Sequence, residues 1–314
     1  MNHFPYCFFP TSVLEIDFTN DKYKVSQYLK DQFVALDKDF STPDEALIYL
    51  NKVNQRPLFF HRLIDQGLTP IDISSVNYLY EEIYNPTRYE TVSCIICRGE
   101  ELDDQIGGFL KDIEELRIKK ILLTERKNET LAIQAFNNGL IDFYVCQQDS
   151  NAFQLLEQYI EQGQQAYFQE IINDQISTLI KEGQANREGQ ILQDATFISY
   201  VQTLIQREKI TEYYLLDVSG SFLFLNDQGR ASVLFVFNNE QFKQYCQEVD
   251  QLLDQGYPFS PFTKEGLRAR HKTVCFPFIN AQAISDLNRY VAPVQVLQGQ
   301  QRYYIAYNSD IDYL

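Results

Sequence analysis

The chain has 314 residues, and 43 acidic against 27 basic side chains give it a formal net charge of −16. Such acidity opposes DNA, RNA and anionic lipid as partners, because the mean field of the molecule repels phosphate. An apolar fraction of 45% with 14% aromatics describes a globular chain, long enough for two domains, and no apolar run reaches the roughly 18 residues of a membrane-spanning helix. The start, Met1-Asn2-His3-Phe4-Pro5, lacks the basic region and apolar stretch of a secretory signal. Six scattered cysteines, at 7, 94, 97, 146, 246 and 275, lie mostly in apolar segments. That is the pattern of buried thiols in a reducing compartment, so a cytoplasmic protein is expected.

Residues 11–16 read as a short strand, and Asp21 to Asp31 has helical spacing. Val34-Ala35-Leu36 is a candidate second strand. Ser41-Thr42-Pro43-Asp44-Glu45 then opens a helix, with a hydroxyl cap, Pro at the first helical position and acids in the first turn. Residues 54–90, broken by Pro57, Gly67, Pro70 and Pro86, read as an insertion. Thr91–Cys97 is a continuous apolar and β-branched run, the mark of a strand covered on both faces in a parallel sheet. A helix near residues 108–115, a strand at 120–124, a helix at 129–138 ending at Gly139, a strand at 141–146 and a helix from Asn151 complete the half. The alternation predicts a doubly wound, five-stranded parallel α/β sheet of the flavodoxin-like kind over residues 8–160.

Residues 121–125, then Ala132, Ala135-Phe136-Asn137-Asn138-Gly139-Leu140-Ile141-Asp142 and Tyr144, resemble the last third of the receiver domain of bacterial two-component response regulators. The segments 81–90, Tyr167-Phe168 and 212–215 are similar to a subgroup with an enlarged receiver and a C-terminal domain that is not a helix-turn-helix. The Legionella-type quorum-sensing regulator has a similar overall architecture. The resemblance covers about residues 8–170, and 211–314 more loosely.

A receiver implies two acids after its first strand and a phosphoacceptor Asp after its third, which together hold Mg²⁺ through oxygen. It also implies a Thr after the fourth strand and a Lys after the fifth, to contact the phosphoryl group. Here Asp17 keeps one acid position and Phe18 fills the other; Arg98, or Cys97 on a one-residue shift, stands at the acceptor; Thr124 matches; Gln147 replaces the Lys. This vestigial pocket implies a pseudo-receiver that works without phosphorylation, in which Arg98 pairs with Asp17 or Glu15. Glu100, Glu101 and Asp103 are substitute acceptors on the following loop. Tyr144 would be the switch aromatic paired with Thr124, or else an ordinary strand aromatic beside a strand-end hydroxyl.

Cys94 and Cys97 have metal or redox spacing, but i and i+3 on a strand face opposite ways, so core thiols are expected. Ser219-Gly220-Ser221 lacks a strand–turn–helix frame and reads as a hairpin turn. The cluster Arg268-Ala269-Arg270-His271-Lys272 reads as a helix end, the alternative being a site for phosphate or an acidic partner. In the connector, 161–210, an amphipathic stripe of Phe168, Ile172, Ile176 and Leu179 is a candidate dimer helix; packing onto the chain's own fold is the alternative. Residues 211–314 read as a small α+β unit with an antiparallel sheet: strands at 213–217, 222–225, 231–237, 273–278, 294–297 and 302–307, helices at 239–253 and 281–290. No general base, partnered nucleophile or metal cluster stands out, so neither enzyme activity nor a metal or other cofactor is expected. The expectation is a regulator that acts on protein partners, a homodimer among them. The alternative is a small-molecule sensor through the C-terminal unit.

Overall fold

The computed structural model of the chain describes residues 4–17, 34–36, 40, 42–54, 58, 60–65, 78–79, 81–102, 104–173, 175–178, 189–274 and 287–309. They fall into two compact units, one built mainly from residues 9–58 and 83–174, the other from 6–8, 59–82 and 175–314. The division differs from the linear order read in the sequence. The N-terminal strand β1 (Cys7–Phe8) and most of the 54–90 insertion belong to the second unit, and the connector is shared between both.

The first unit carries β2 (Ser12–Asp17), β3 (Val34–Leu36), β4 (Val92–Arg98), β5 (Lys119–Thr124) and β6 (Phe143–Cys146), all parallel, in the order β3-β2-β4-β5-β6. Counted within the unit this is the 2-1-3-4-5 order of a flavodoxin-like sheet, and the expected fold class is borne out. The helix expected at Asp21–Asp31 lies outside the described residues. On one face α1 (Pro43–Asn54) and α2 (Asp104–Asp112) pack with α3 (Glu129–Asn137) against Leu14, Ile16, Ile95, Cys97 and Leu122. On the other α4 (Ala152–Phe168) lays Ala152, Leu156 and Ile160 on Val13, Cys94, Ile96, Ile121 and Val145. Cys94 and Cys97 therefore enter opposite cores, as the strand period requires. Burial pushes the Cys97 thiol up to about 12.

Every residue of β4 is buried, so each of its polar groups needs a partner inside the protein. A register shift opposite Ser12 and Val13 leaves the start of the strand irregular. Asn54, the last residue of α1, supplies both missing bonds: its Nδ2 donates to the Val92 carbonyl at 2.6 Å and its Oδ1 accepts from the Val92 N–H at 3.1 Å. Ser93 meets the Thr11 hydroxyl at 2.5 Å, and Gln164 of α4 donates to the Thr11 Oγ1 and carbonyl at 3.1 and 3.2 Å. Gly163 lets this helix approach so closely, since a Cβ there would stand 3.2 Å from Lys119 and 3.4 Å from the Cys94 sulfur. At the start of β5, buried Lys119 pairs with Glu170, and Lys120 donates to the Gly139 carbonyl at 3.0 Å.

The second unit is a seven-stranded antiparallel sheet, ordered β1-β7-β8-β9-β12-β11-β10, with β7 (Ile210–Leu215), β8 (Phe222–Asn226), β9 (Ala231–Phe237), β10 (Lys272–Val274), β11 (Val291–Gln298) and β12 (Arg302–Asn308). The α+β expectation holds, with one addition: β1 pairs with β7, placing Cys7 opposite Tyr214. Helix α5 (Ala195–Arg207) buries Phe197, Val201 and Leu204, spaced i, i+4, i+7. Helix α6 (Asn239–Asp254) buries Phe242, Tyr245 and Val249, and Phe242 stacks on Tyr304 with ring centroids 4.1 Å apart. A further helix, α7 (Pro261–Arg268), starts with Ser260 as its cap and Pro at its first position. Residues 275–286, where the sequence predicts strand and helix, lie outside the described residues; 287–290 form a 3₁₀ turn rather than a helix end.

Asn54→Ala removes two bonds from buried groups of β4, so it should lower unfolding free energy by about 1–3 kcal/mol. Urea denaturation of the two proteins measures this; an unchanged midpoint at unchanged slope would show that solvent replaces the amide.

Candidate functional site at the strand ends

The carboxyl ends of β2, β4, β5 and β6 bring the sequence-predicted pocket residues to one end of the sheet. Asp17 closes β2, Arg98 closes β4, Thr124 closes β5, and Gln147 follows β6 directly. In register Asp17 lies beside Arg98, and Arg98 beside Leu123. Phe18 and Asp103 lie outside the described residues. Arg98 is only 5% exposed. Strand alternation assigns it and Glu15 to the face of Cys94, Ile96 and Val13, while Cys97 joins the opposite core.

The last three positions of this strand end, Cys97, Arg98 and Gly99, contain no carboxylate, so neither register supplies an acceptor acid. The next residue, Glu100, is committed elsewhere: its Oε1 accepts the backbone N–H of Glu125, tying the loop after β4 to the loop after β5. Glu101 is exposed.

Thr124 and Tyr144 meet. The Thr124 hydroxyl is fully buried and lies 2.9 Å from the Tyr144 hydroxyl. Proton counting fixes the direction of this bond. Thr124 has one hydroxyl proton and donates it to the Arg126 carbonyl at 2.8 Å, so Tyr144 donates to Thr124. The Tyr144 oxygen in turn accepts the Asn128 N–H at 2.9 Å, and Asn128 Oδ1 caps α3 by accepting from Leu131 N at 3.1 Å. One chain of hydrogen bonds thus joins β5, the following loop, β6 and the start of α3. Tyr144 is thus a strand aromatic whose hydroxyl engages Thr124, and the Thr124 hydroxyl in turn closes the strand end on Arg126. Asn128 was not singled out in the sequence, although Asn before Glu129 and an apolar-periodic run is an N-cap signal.

Other candidates are placed as follows. Phe168, Ile172 and Ile176 are completely buried by the chain itself, and Leu179 lies outside the described residues. Phe168 packs edge-on to Phe9 at 4.8 Å. The stripe is core, and the dimer-helix expectation for these three residues is corrected accordingly. In the basic cluster, Arg270 pairs with Asp250 at 2.6 Å and donates to the carbonyls of Cys246 and Leu267, while Lys272 sits over the Phe262 ring at 3.9 Å. The helix-end reading describes it.

With this geometry in place, the architecture is similar to that of a response regulator: a receiver-like parallel sheet in one unit and an antiparallel sheet in the other. Among solved structures the chain is similar to the response regulator LqsR of Legionella pneumophila, with 26% identity, a TM-score of 0.65, and coverage of 99% of this chain and 91% of that one. An adenylate cyclase from Rhodopirellula baltica aligns at 12% identity and TM-score 0.34 over 54% of this chain and 98% of its own. A putative pilus assembly-related protein from Burkholderia pseudomallei aligns at 7% and 0.31 over 50% and 90%. No family model and no curated protein matches the sequence. Among the described residues no helix is long and apolar enough to cross a membrane.

Tyr144→Phe deletes the hub of the strand-end network and leaves Asn128 N–H and Thr124 Oγ1 each short of a bond. It should cost about 1–3 kcal/mol and speed hydrogen exchange at Asn128 above that of wild type. Unchanged exchange there would show that the hub does not hold the loop.

Proposed function

We propose that the protein is a cytoplasmic regulator of the response-regulator type whose receiver works without phosphorylation, by contact with a protein partner and without catalysis of its own. The observation that carries this reading is the buried Arg98 at the end of β4, in register with Asp17. A receiver needs a carboxylate there to bind Mg²⁺ and accept a phosphoryl group. A guanidinium about 4 Å from a divalent ion would instead oppose it by about 8 kcal/mol at an effective dielectric of 20. Paired with Asp17 or Glu15, Arg98 would supply internally the positive charge that metal and lysine supply in a working receiver.

Helix α3 gives this reading a contact surface. Ile133 and Phe136, at i and i+3, are 59% and 45% exposed, while Ala132 and Ala135 turn to the core. The Tyr144 network fixes the start of this helix, so the strand ends and the exposed apolar face form one mechanical unit.

Incubation with Mg²⁺ and acetyl phosphate, or with beryllofluoride, should leave intact mass and melting temperature unchanged; stoichiometric phosphorylation would overturn the reading. The triple variant Phe18→Asp, Arg98→Asp, Gln147→Lys should gain Mg²⁺-dependent thermal stabilisation, since a ligand of the native state raises its stability by mass action. Ile133→Ser with Phe136→Ser removes apolar surface already in water. It should leave the melting temperature within about a degree while abolishing co-purification of the partner; retained co-purification would move the contact to another face.

A further inference from the structure

The second unit contains a niche that the receiver reading does not use. Its lining is Gly189, Ile191, Val218, Ser219, Asn238, Gln241, Gln301 and Tyr303, around about 280 Å³ of space that opens to solvent. We propose that this niche binds a small uncharged molecule through a carbonyl or hydroxyl oxygen that accepts a hydrogen bond from Tyr303.

The hydroxyl of Tyr303 is the reason. The side chain is 1% exposed, and its oxygen forms no hydrogen bond. Gln301 and Asp194 stand close enough to influence it, yet neither completes a bond of acceptable geometry. A buried hydroxyl without a partner costs stability, so one facing a niche calls for an acceptor within it.

The surroundings select the chemistry of that acceptor. Asn238 caps the 16-residue helix α6 through a capping box: its Oδ1 accepts from Glu240 N and Gln241 N at 2.9 Å each, and Gln241 Oε1 accepts from Asn238 N at 2.9 Å. Gln241 Nε2 donates to Ser219 Oγ at 2.6 Å. Among the described residues this leaves the Ser219 proton, a second Gln241 proton and the Asn238 amide nitrogen as spare donors. The side-chain oxygens of Asn238, Gln241 and Ser219 each accept a bond already, so these three groups offer donors to the niche. The positive end of the helix dipole also favours oxygen at this position.

An anion is disfavoured, because no cation lines the niche and two carboxylates adjoin it. Asp194 holds Thr196 N at 2.9 Å and Gln300 N at 2.6 Å; Asp217 holds Ser221 N at 3.2 Å. Their charge repels a carboxylate far more than the partial charge of a neutral oxygen. The turn that brings Ser219 to the niche depends on Gly220, whose φ of 94° suits glycine and whose Cβ would stand 3.0 Å from the Phe197 ring. Because the space opens to solvent, the occupant is a small molecule or one end of a larger one.

The test is ligand-observed NMR on the full chain, with acetamide, glycerol and glucose as neutral probes and acetate as the charged control. At least one neutral probe should show saturation transfer at tens of millimolar, acetate should not, and Tyr303→Phe should weaken binding at least tenfold. The same variant should melt no lower than wild type, since the lost hydroxyl has no protein partner. The proposal is overturned if no neutral probe binds, if acetate binds better, or if binding survives both Tyr303→Phe and Ser219→Ala. A lower melting temperature for Tyr303→Phe would overturn it too, because it would reveal a structural partner. None of these outcomes bears on whether the receiver is phosphorylated.

Discussion

The first unit depends on one constraint, the complete burial of β4 between β2 and β5 with a helix layer on each side. A strand so placed must be apolar or have every polar group partnered from within. Its beginning meets the demand with Asn54, Thr11 and Gln164, which stand in for regular pairing around the register shift. At its other end, Arg98 brings a full charge into the same buried strand. A lone buried charge is costly to leave without compensation, whereas a pair of opposite charges can be carried. The two ends therefore differ in kind: the amino end is met with neutral hydrogen bonds, and the carboxyl end carries a buried guanidinium.

That difference bears on how the strand ends connect to the rest of the unit. The Thr124–Tyr144–Asn128 chain joins the ends of β5 and β6. The chain also couples the strand ends to α3, because the Asn128 amide is held by Tyr144 and its side chain caps the helix. A rigid link of this kind transmits a displacement at either end to the other, so the coupling of the strand ends to α3 is built into the fold.

The parallel sheet was legible because its signal is local. Continuous apolar runs at 92–97 and 120–124, separated by capped helices, admit few other folds. The strand-end substitutions were legible for the same reason, since they sit at fixed offsets from those runs. What escaped was non-local. A two-residue strand such as Cys7–Phe8 has no period to read, and its place beside β7 follows only from the assembled sheet. The Phe168–Ile176 stripe shows that a helix is amphipathic without showing what covers it; here the chain covers it itself. Nothing in the sequence sets Tyr303 apart, because an orphan hydroxyl is a property of its neighbours in space.

The net charge of −16 also takes on a structural meaning. Several carboxylates bind backbone N–H groups: Glu100 that of Glu125, Asp142 that of Lys120 while also pairing with the Lys119 ammonium at 3.8 Å, Asp194 those of Thr196 and Gln300, and Asp217 that of Ser221. In this role an acid closes a turn, caps a helix or fastens one loop to the next, with a charge-assisted bond stronger than a neutral one. Burial pushes the Asp217 carboxyl up while its bonds to the Ser219–Ser221 turn pull it back, which is the signature of an acid kept for its geometry. Acids used in this way add to the net charge while serving the fold itself.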